Sequence, residues 1–323
     1  MITRRQVIGG AATTMIVAPL VAWGEQPRVP RIGALYIGVA DAESFRTELR
    51  AGLRDLGYVE GQNIAFEFRS AEGKLDQLPR LAAELVRLKV DVIVALYVPC
   101  ALAVKQATQS IPIVILAADP VETGIVPSLA HPGGNITGVS LMASALAAKS
   151  VELFHDMLPA ARRIGVLGHA TNPVFAKAML DQVRLAAGPT GLKIEPIVMI
   201  RDPREAEAVF ASMVKARADA VVVQGSLTTK FLTDMALKYR LPTASTTRAF
   251  ADIGGLMVLG ADGPSSVRQG AKFVHRILQG RQPKDIPIEQ PVKFELVINL
   301  RTAKALGLTI PQTLLLRADQ IIE

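Results

Sequence analysis

The sequence repeats itself along the chain, and this repeat limits the fold more than any other feature. The segment "RRIGVLGH" at 162–169 resembles "PRIGALYI" at 30–37, and "RLPTAST" at 240–246 resembles "SIPIVIL" at 110–116. Between them, "EAEAVFASMVKARADAVVVQG" follows the pattern of "LPRLAAELVRLKVDVIVAL". Corresponding segments lie roughly 130 residues apart, which indicates one architectural unit used two times.

Within each copy, short apolar runs alternate with longer amphipathic segments. In the first copy, "RIGALYI", "QNIAFEFR", "DVIVAL", "IPIVILA" and "NITGVSL" have the length and composition of strands. The segments between them predict helices, including one over 124–130. Strands separated by such helices form parallel sheets through right-handed crossovers. The sequence therefore predicts an α/β protein with two doubly wound parallel-sheet lobes and a hinge.

Two such lobes joined by crossing segments leave a cleft between them. Open α/β sheets bind ligands outside the carboxyl ends of their strands. We therefore expect the functional residues at the strand ends of both copies, where the two sheets face the cleft.

The stretch "DPVETGIVPSLAHPGGNITGVS" ends an apolar strand on Asp119 and Pro120. We interpret Asp119 as a cleft side chain, Pro120 as the strand terminator, and Gly124 as the start of a short helix whose N–H groups face a ligand. The glycines over 133–138 would let the backbone turn tightly toward the hinge. The alternative interpretation is an ordinary turn with Asp119 as a helix cap.

The first 24 residues, "MITRRQVIGGAATTMIVAPLVAWG", predict a signal peptide. A basic start precedes an apolar stretch and a small-residue cleavage site at Ala22–Gly24. Paired arginines are typical of twin-arginine signals, although Sec leaders also carry them. We expect export by Sec or Tat with cleavage near Gly24; a signal anchor is the alternative. Because no later stretch has 18 uninterrupted apolar residues, we expect the mature protein to be soluble.

Charge and cysteine content argue against several classes of protein. The formal net charge is +7, but the basic residues are scattered and lack the clustering of a nucleic-acid surface. We therefore expect no nucleic-acid partner. Cys100 is the only cysteine, so an internal disulfide is excluded, and we interpret it as a small residue that opens a helix.

No sequence motif points to catalysis. A P-loop, a G-x-G-x-x-G after the first strand, H-E-x-x-H and G-x-S-x-G are all absent. The four histidines lack metal-ligand spacing. We predict no catalytic residue, no metal and no cofactor. A two-lobe transferase or racemase-like enzyme acting in the same cleft is the alternative function, and a LacI-like regulator would need a helix-turn-helix where the leader lies.

Several long segments resemble one known family. They include "GYVEGQNI", "DPVETGIVPSLAHPGGNITG" and "KFELVINLRTAKALGLTIP". Along essentially the whole chain after the leader, the sequence is similar to the ABC-transporter substrate-binding proteins that include tryptophan/tyrosine-binding lipoproteins. The resemblance implies a type I periplasmic binding fold that closes on a small organic solute and delivers it to an ABC permease in the inner membrane. Because the leader has no lipobox, we expect a free, monomeric periplasmic protein; a role as partner of a membrane sensor kinase stays open.

The resemblance also implies three crossings between the lobes, near Leu141, Ala261 and Gln290. The first lobe would then comprise 29–141 plus 262–289, and the second 142–261 plus 290–323. The helix "SSVRQGAKFVHRILQG" would return to the first lobe, and "FELVINL" and "TAKALGL" to the second.

The strand ends of the two copies supply the candidate ligand-binding residues. Asp119 or Asp262 would accept hydrogen bonds from a ligand ammonium, and Arg248 would pair with a carboxylate. Tyr36 and Tyr97 would stack on a flat ligand. Helix N–H groups after Pro99 and Asn172 would hold an anion. The full set of candidates is Leu35, Tyr36, Tyr97, Val98, Pro99, Cys100, Ala118, Asp119, Pro120, Thr137, Gly138, Ser140, His169, Thr171, Asn172, Gln224, Gly225, Ser226, Thr247, Arg248 and Asp262.

Overall fold

The computed structural model describes residues 28–38, 42–170 and 173–323. The predicted signal peptide lies outside these residues. The first half of the chain alternates strands and helices in the order β1 (Arg31–Tyr36), α1 (Ala42–Arg54), β2 (Ala65–Ser70), α2 (Leu78–Arg87), β3 (Val92–Leu96), α3 (Val98–Ala107), β4 (Ile113–Ala117) and β5 (Ile136–Ser140).

The second half continues the alternation and ends with short elements. In chain order these are α4 (Ala143–Met157), β6 (Arg163–His169), α5 (Pro173–Ala187), β7 (Lys193–Ile200), α6 (Ala206–Lys215), β8 (Ala220–Val223), α7 (Lys230–Lys238), β9 (Thr243–Ser245), α8 (Arg248–Asp252), β10 (Met257–Ala261), α9 (Gly263–Leu278), β11 (Phe294–Asn299), α10 (Leu300–Leu306), α11 (Gln312–Leu315) and β12 (Gln320–Ile322).

The strands form two separate sheets, as the repeat predicts. The first is fully parallel in the order β2-β1-β3-β4-β5, and the second has the order β12-β11-β10-β9-β8-β6-β7. Both faces of each sheet carry an apolar cluster covered by helices. This arrangement suits strands such as β3 and β4, which are buried at every position. The predicted fold class of two parallel-sheet lobes is therefore confirmed.

A pair of aspartates shows how closely the two copies correspond. Asp91 Oδ2 accepts a hydrogen bond from Arg31 N at the start of β1, at 2.7 Å. In the second sheet Asp219 Oδ2 accepts from Arg163 N at the start of β6, at 2.9 Å. The same side chain thus joins the amino ends of two neighbouring strands in each lobe.

Two details differ from the sequence predictions. The predicted helix over 124–130 is absent; a turn at 120–124 is followed by irregular chain. Gly124 has a positive φ of 70°, and Pro127 and Pro132 interrupt the segment, so a helix has no room to propagate. In the second sheet, β11 is antiparallel to β10 because the chain re-enters that sheet at its carboxyl edge.

The segments that cross between the sheets pair with one another. Ser140 N donates to Glu289 O at 2.9 Å, and Glu289 N donates to Gly138 O at 3.0 Å. Asp262 N donates to Lys293 O at 3.0 Å. Gly138 has no room for a side chain, because a Cβ there would lie 2.1 Å from the Ile115 carbonyl oxygen. The crossings therefore form a compact bundle of extended chain.

Across the described ranges, no helix has the length and apolar character needed to cross a membrane.

Candidate functional site

Two helices bring the carboxyl edges of the sheets together. Helix α4 leaves the carboxyl end of β5 and packs on the second sheet, running antiparallel to its parallel strands before β6 begins. Helix α9 leaves the carboxyl end of β10 and packs beside α1 on the first sheet. At the far end of α9, His275 Nδ1 lies 3.0 Å from Tyr58 Oη, on the loop that enters β2. Both helices therefore begin where the two carboxyl edges meet.

The carboxyl edge of the first sheet is shaped by unusual backbone conformations. Glu72, Tyr97, Asp119 and Met142 each follow a strand of this sheet and have positive φ values of 51°, 72°, 43° and 53°. Tyr97 combines its φ with a ψ of 159°, a region that only glycine enters readily. Residues held in such conformations cluster at ligand clamps and switch regions.

Asp119 lies between the two sheets. Its Oδ2 accepts a hydrogen bond from Ser144 N in the first turn of α4, at 2.9 Å. Burial raises the pKa of the Asp119 carboxyl, and nearby Glu122 adds to the effect, while the hydrogen bonding of Ser144 opposes it. This partly buried side chain therefore links the carboxyl edge of the first sheet to the first turn of α4.

The tyrosines predicted to stack on a flat ligand have different environments. Tyr36 is 3% exposed, and its ring packs against Phe45 and Phe68, with centroids 5.5 and 6.4 Å away. That ring belongs to the core of the first lobe. Tyr97 is partly exposed and contacts the apolar clusters on both faces of the first sheet.

Side-chain hydrogen bonds organise the edge of the second sheet. Gln224 is 1% exposed, and its Oε1 accepts from His169 N at 2.8 Å. Its Nε2 donates to Ser226 Oγ at 3.1 Å. Burial also lowers the pKa of the His169 imidazole, which favours its neutral form. Gln224 therefore fixes the end of β6 to the turn after β8.

Arg248 and Asp262 have partners within the protein. Arg248 lies 3.0 Å from Asp252 and 3.3 Å from the buried carboxylate of Glu295, and it donates to Gln320 Oε1 at 2.5 Å. Asp262 Oδ1 accepts from Ser265 N at 2.9 Å as the cap of α9, and its Oδ2 lies 3.4 Å from Lys293 Nζ. Arg248 thus joins α8 to β11 and β12, and Asp262 fixes the start of α9 beside the crossing.

The remaining candidates divide by exposure. Buried residues include Leu35, Val98, Cys100, Pro120, Thr137, Gly138 and Ser140. Pro99, Ala118, Gly225 and Thr247 are partly exposed, and Ser226 is exposed. Thr137 donates its hydroxyl to Ile286 O at 2.8 Å, a bond that fixes the third crossing. Thr171 and Asn172 lie outside the described residues.

Sequence reasoning missed an apolar border on the second sheet. Val174, Met199 and Phe231 are 50%, 38% and 42% exposed, and they follow β6, end β7 and open α7 respectively. The exposure of Phe231 could have been predicted from the helical periodicity of α7, because Phe231 lies outside the buried stripe of Leu232, Thr233 and Ala236. All three side chains follow or end neighbouring strands of the second sheet.

Metal-ligating side chains are dispersed in the part of the chain that the structure describes. Within the described residues, no group of three or more His, Cys, Asp or Glu side chains is close enough to hold a metal ion. A cavity of about 210 Å³ lies in the second lobe beside α4, and its lining residues are half apolar and half charged: Lys149, Leu153, Leu259, Phe294, Glu295, Leu296, Arg317 and Asp319. None of the candidate ligand-binding residues lines it, although Glu295 pairs with Arg248.

Comparison with known proteins decides the family. The family described as "ABC transporter substrate binding protein" matches residues 41–322. The chain belongs to this family. The predicted family and its role in solute capture are thereby confirmed, and nothing in the comparisons supports the enzyme alternative.

Three similar proteins carry informative names. A "Tyrosine-binding protein" of Clostridioides difficile is 28% identical over 259 residues, covering 79% of this chain and 74% of the relative. The ABC domain from Streptococcus pneumonia in complex with L-Trp is 25% identical, with a TM-score of 0.84, and covers 91% of this chain and 99% of its own. The ligand-free, open structure of a Clostridium difficile substrate binding protein has the same identity and coverages but a TM-score of 0.68.

Proposed function

We propose that the protein captures a small organic solute, of the amino-acid or aromatic type, between the carboxyl edges of its two sheets. The observation that carries this proposal is the convergence of both edges at the first turns of α4 and α9. Open α/β sheets bind ligands at such edges. The solute leaves unchanged and passes to an ABC permease.

The lobes close around the solute by rotation at the three crossings, near 141–142, 261–262 and 290. The division into lobes of 29–141 plus 262–289 and 142–261 plus 290–323 belongs to this proposal. Closure is supported by the TM-score, which is higher against the L-Trp complex, 0.84, than against the ligand-free, open structure, 0.68, at equal identity.

The chemistry at the meeting edges favours a solute with a cationic group and an apolar body. Asp119 has Oδ1 for an ammonium group while its Oδ2 is bonded to Ser144 N. Tyr97 is partly exposed and Phe231 is 42% exposed, so both offer aromatic surface. Relatives named for tyrosine binding and solved with L-Trp fit this chemistry. Arg248, with its three partners, is the weaker candidate for a solute carboxylate.

We further propose that the protein works outside the cytoplasm, as is typical of its family. The basic and apolar N-terminal 24 residues support export by Sec or Tat, with cleavage near Gly24 and a monomeric product in the periplasm. The partners are the solute and the permease subunits of the inner membrane.

A thermal-shift screen of the purified mature protein tests this function. L-Tryptophan, L-tyrosine, non-aromatic amino acids, aromatic acids and nucleosides are compared. A ligand present at about one hundred times its Kd adds roughly 2.7 kcal/mol to the free energy of unfolding. Native mass spectrometry detects any solute that copurifies. If no compound shifts the transition and no solute copurifies, the proposed function is wrong.

Asp119→Ala then tests the site itself. Loss of the carboxylate should weaken binding of an amino-acid ligand at least tenfold, because a charge-assisted hydrogen bond is lost. Asp181→Ala is the matched control, since Asp181 is an exposed partner of Lys177 on α5. Equal affinity in the two variants would remove Asp119 from the site.

A further inference from the structure

The carboxyl edge of the second sheet carries hydroxyl groups where the first sheet carries apolar side chains. In the repeat, "RLPTAST" at 240–246 corresponds to "SIPIVIL" at 110–116, so Thr246 occupies the place of Leu116 and Thr247 that of Ala117. Leu116 and Ala117 are 1% and 0% exposed, whereas both threonines are partly exposed. The same position is therefore core in one lobe and polar edge in the other.

The hydroxyls of Thr246 and Thr247 approach Gly225, which follows the neighbouring strand β8. From the position that a Cβ of Gly225 would occupy, Thr247 Oγ1 lies 2.4 Å away and Thr246 Oγ1 lies 3.6 Å away. Thr247 precedes α8, yet its side chain accepts no bond from the N–H groups of that helix, all of which belong to described residues. The glycine therefore leaves room for two hydroxyls on one side of the turn after β8.

Ser226 adds a third hydroxyl at this turn, and its hydrogen bonding makes it a donor. Gln224 Oε1 accepts from His169 N at 2.8 Å, so the other end of that amide is its NH2 group. This Nε2 donates to Ser226 Oγ at 3.1 Å. A hydroxyl that accepts such a bond directs its own hydrogen to another group. Because Ser226 is exposed, a ligand at the edge can accept that hydrogen.

The guanidinium group beside these hydroxyls is already engaged within the protein. Arg248 lies 3.0 Å from Asp252 and 3.3 Å from Glu295, and it also donates to Gln320 Oε1. The two carboxylates balance its charge. The donors that this turn offers to an anionic group are therefore neutral hydroxyls.

We propose that Ser226, Thr246 and Thr247 hold the carboxylate of the solute through their O–H groups, in place of an arginine. The inference rests on the proposed function and deepens it, because it names the group of the solute that the second lobe recognises. Asp119 follows the corresponding strand β4 of the first lobe and accepts the ammonium group. The solute is then an α-amino acid bound as a zwitterion, with one charged group on each lobe. Hydrogen bonds to a carboxylate are charge-assisted, so neutral donors suffice to hold it.

Two substitutions at Thr247 test the hydroxyl directly. Thr247→Val removes it and keeps the shape of the side chain, whereas Thr247→Ser keeps it. Calorimetry measures the binding of L-tryptophan and L-tyrosine and of their amides, in which a neutral carboxamide replaces the carboxylate. Thr247→Val should weaken binding of the acids about tenfold or more and of the amides less than about fivefold, because the lost bond is charge-assisted only for the acids. Thr247→Ser should bind both close to the wild-type affinity.

Thr309→Val is the matched control, because Thr309 is an exposed threonine of the same lobe that follows α10. It should leave the binding of acids and amides unchanged. Gly225→Ala supplies an independent test. The backbone of Gly225 has no positive φ and accepts alanine, but the added Cβ would displace the Thr247 hydroxyl. This variant should reproduce the selective loss of acid binding.

Arg248→Met separates the hydroxyls from the arginine. It should lower the melting temperature, because the buried carboxylate of Glu295 loses its cation, but it should keep the preference for acid over amide. Loss of that preference would assign the carboxylate to Arg248 and overturn the inference. The Thr247 variants leave this ion pair intact, so they decide the question even if Arg248→Met does not fold.

The outcomes distinguish this inference from the proposed function. Wild-type affinity for the amino acids in both Thr247→Val and Gly225→Ala overturns the inference and leaves solute capture in place. Equal weakening for acids and amides also overturns it, because the hydroxyls would then not recognise a carboxylate. If the wild type binds neither amino acid, the proposal of an amino-acid solute is wrong and the inference is overturned with it.

Discussion

The two lobes share one architecture but border the cleft by different means. Tyr97 and Gly225 occupy corresponding places after β3 and β8, six residues beyond the matching aspartates Asp91 and Asp219. In the first lobe, Tyr97 has a backbone conformation that favours glycine. In the second lobe, Gly225 does not have a positive φ. Gly225 is instead needed for space, because a Cβ there would lie 2.4 Å from Thr247 Oγ1.

This contrast extends along both edges. Four of the seven non-glycine residues with positive φ in the described ranges follow strands of the first sheet, and the other three, Lys89, Arg217 and Arg240, follow the ends of helices. The second edge is held by side-chain hydrogen bonds instead. Gln224 accepts from His169 N, and Arg248 donates to Glu295. A repeated architecture thus fixes where the edge lies and leaves each lobe free to shape it by backbone strain or by side-chain bonding.

The largest expected effect tests the side-chain edge of the second lobe. Gln224→Leu keeps the volume but leaves the buried His169 N–H without its acceptor, so the free energy of unfolding should fall by about 1–3 kcal/mol. Urea unfolding followed by circular dichroism measures it. Ser226→Ala removes only the exposed partner of Gln224 and should change stability by less than about 0.5 kcal/mol. Equal effects in the two variants would contradict the role assigned to Gln224.

The next effect tests the backbone edge of the first lobe. Tyr97→Gly and Tyr97→Ala both remove the ring, so their difference isolates the backbone. Glycine should be more stable than alanine by about 1–2 kcal/mol, because the observed φ and ψ strain any side chain. At Ser226, which has no positive φ, the order should reverse by up to about 1 kcal/mol. The same order at both positions would remove the contrast between the lobes.

The smallest expected effect is the pH dependence of stability that arises from one carboxyl in each lobe. Burial raises the pKa of Asp119 above its ordinary 3.8 and that of Glu295 above its ordinary 4.5, although Arg248 opposes the shift at Glu295. Because the folded state then holds the proton more tightly than the unfolded state, each group's contribution to stability falls as pH rises from its ordinary pKa through its folded-state pKa. Asp119→Asn and Glu295→Gln remove this dependence.

The stability of each variant relative to wild type should therefore increase with pH across its window, as measured by urea unfolding at a series of pH values. A relative stability that is flat or decreases with pH would show that these carboxyls are not disfavoured by burial. If relative stability increases with pH for only one variant, burial raises the carboxyl pKa in that lobe and not in the other.

Much of the fold could be predicted from the sequence because its signals are local. Buried runs such as "VIVAL" in β3 and "IVILA" in β4, with amphipathic segments between them, specify parallel strands covered by helices. The prediction of a helix over 124–130 was wrong. Its apolar residues suggested a helix, but Gly124, Pro127 and Pro132 do not permit one.

The candidate site was less predictable because its properties depend on partners distant in sequence. Tyr36 ends a strand as predicted, but Phe45 and Phe68 enclose its ring. Arg248 follows β9 and opens α8, but its guanidinium is bonded to Glu295 and Gln320, which lie 47 and 72 residues away. Neither environment leaves a signal in the residues adjacent to the tyrosine or the arginine.

The order of residues alone determined two similar α/β halves and the strand ends that border them, because apolar periodicity and chain repetition act over short distances. Only the tertiary structure decided which edge residues are bonded within the protein and which are open to a solute. It also decided that Ser144 N donates to Asp119 Oδ2 across the meeting edges. The physical reason is that burial and hydrogen bonding at these places depend on how separate elements pack against each other.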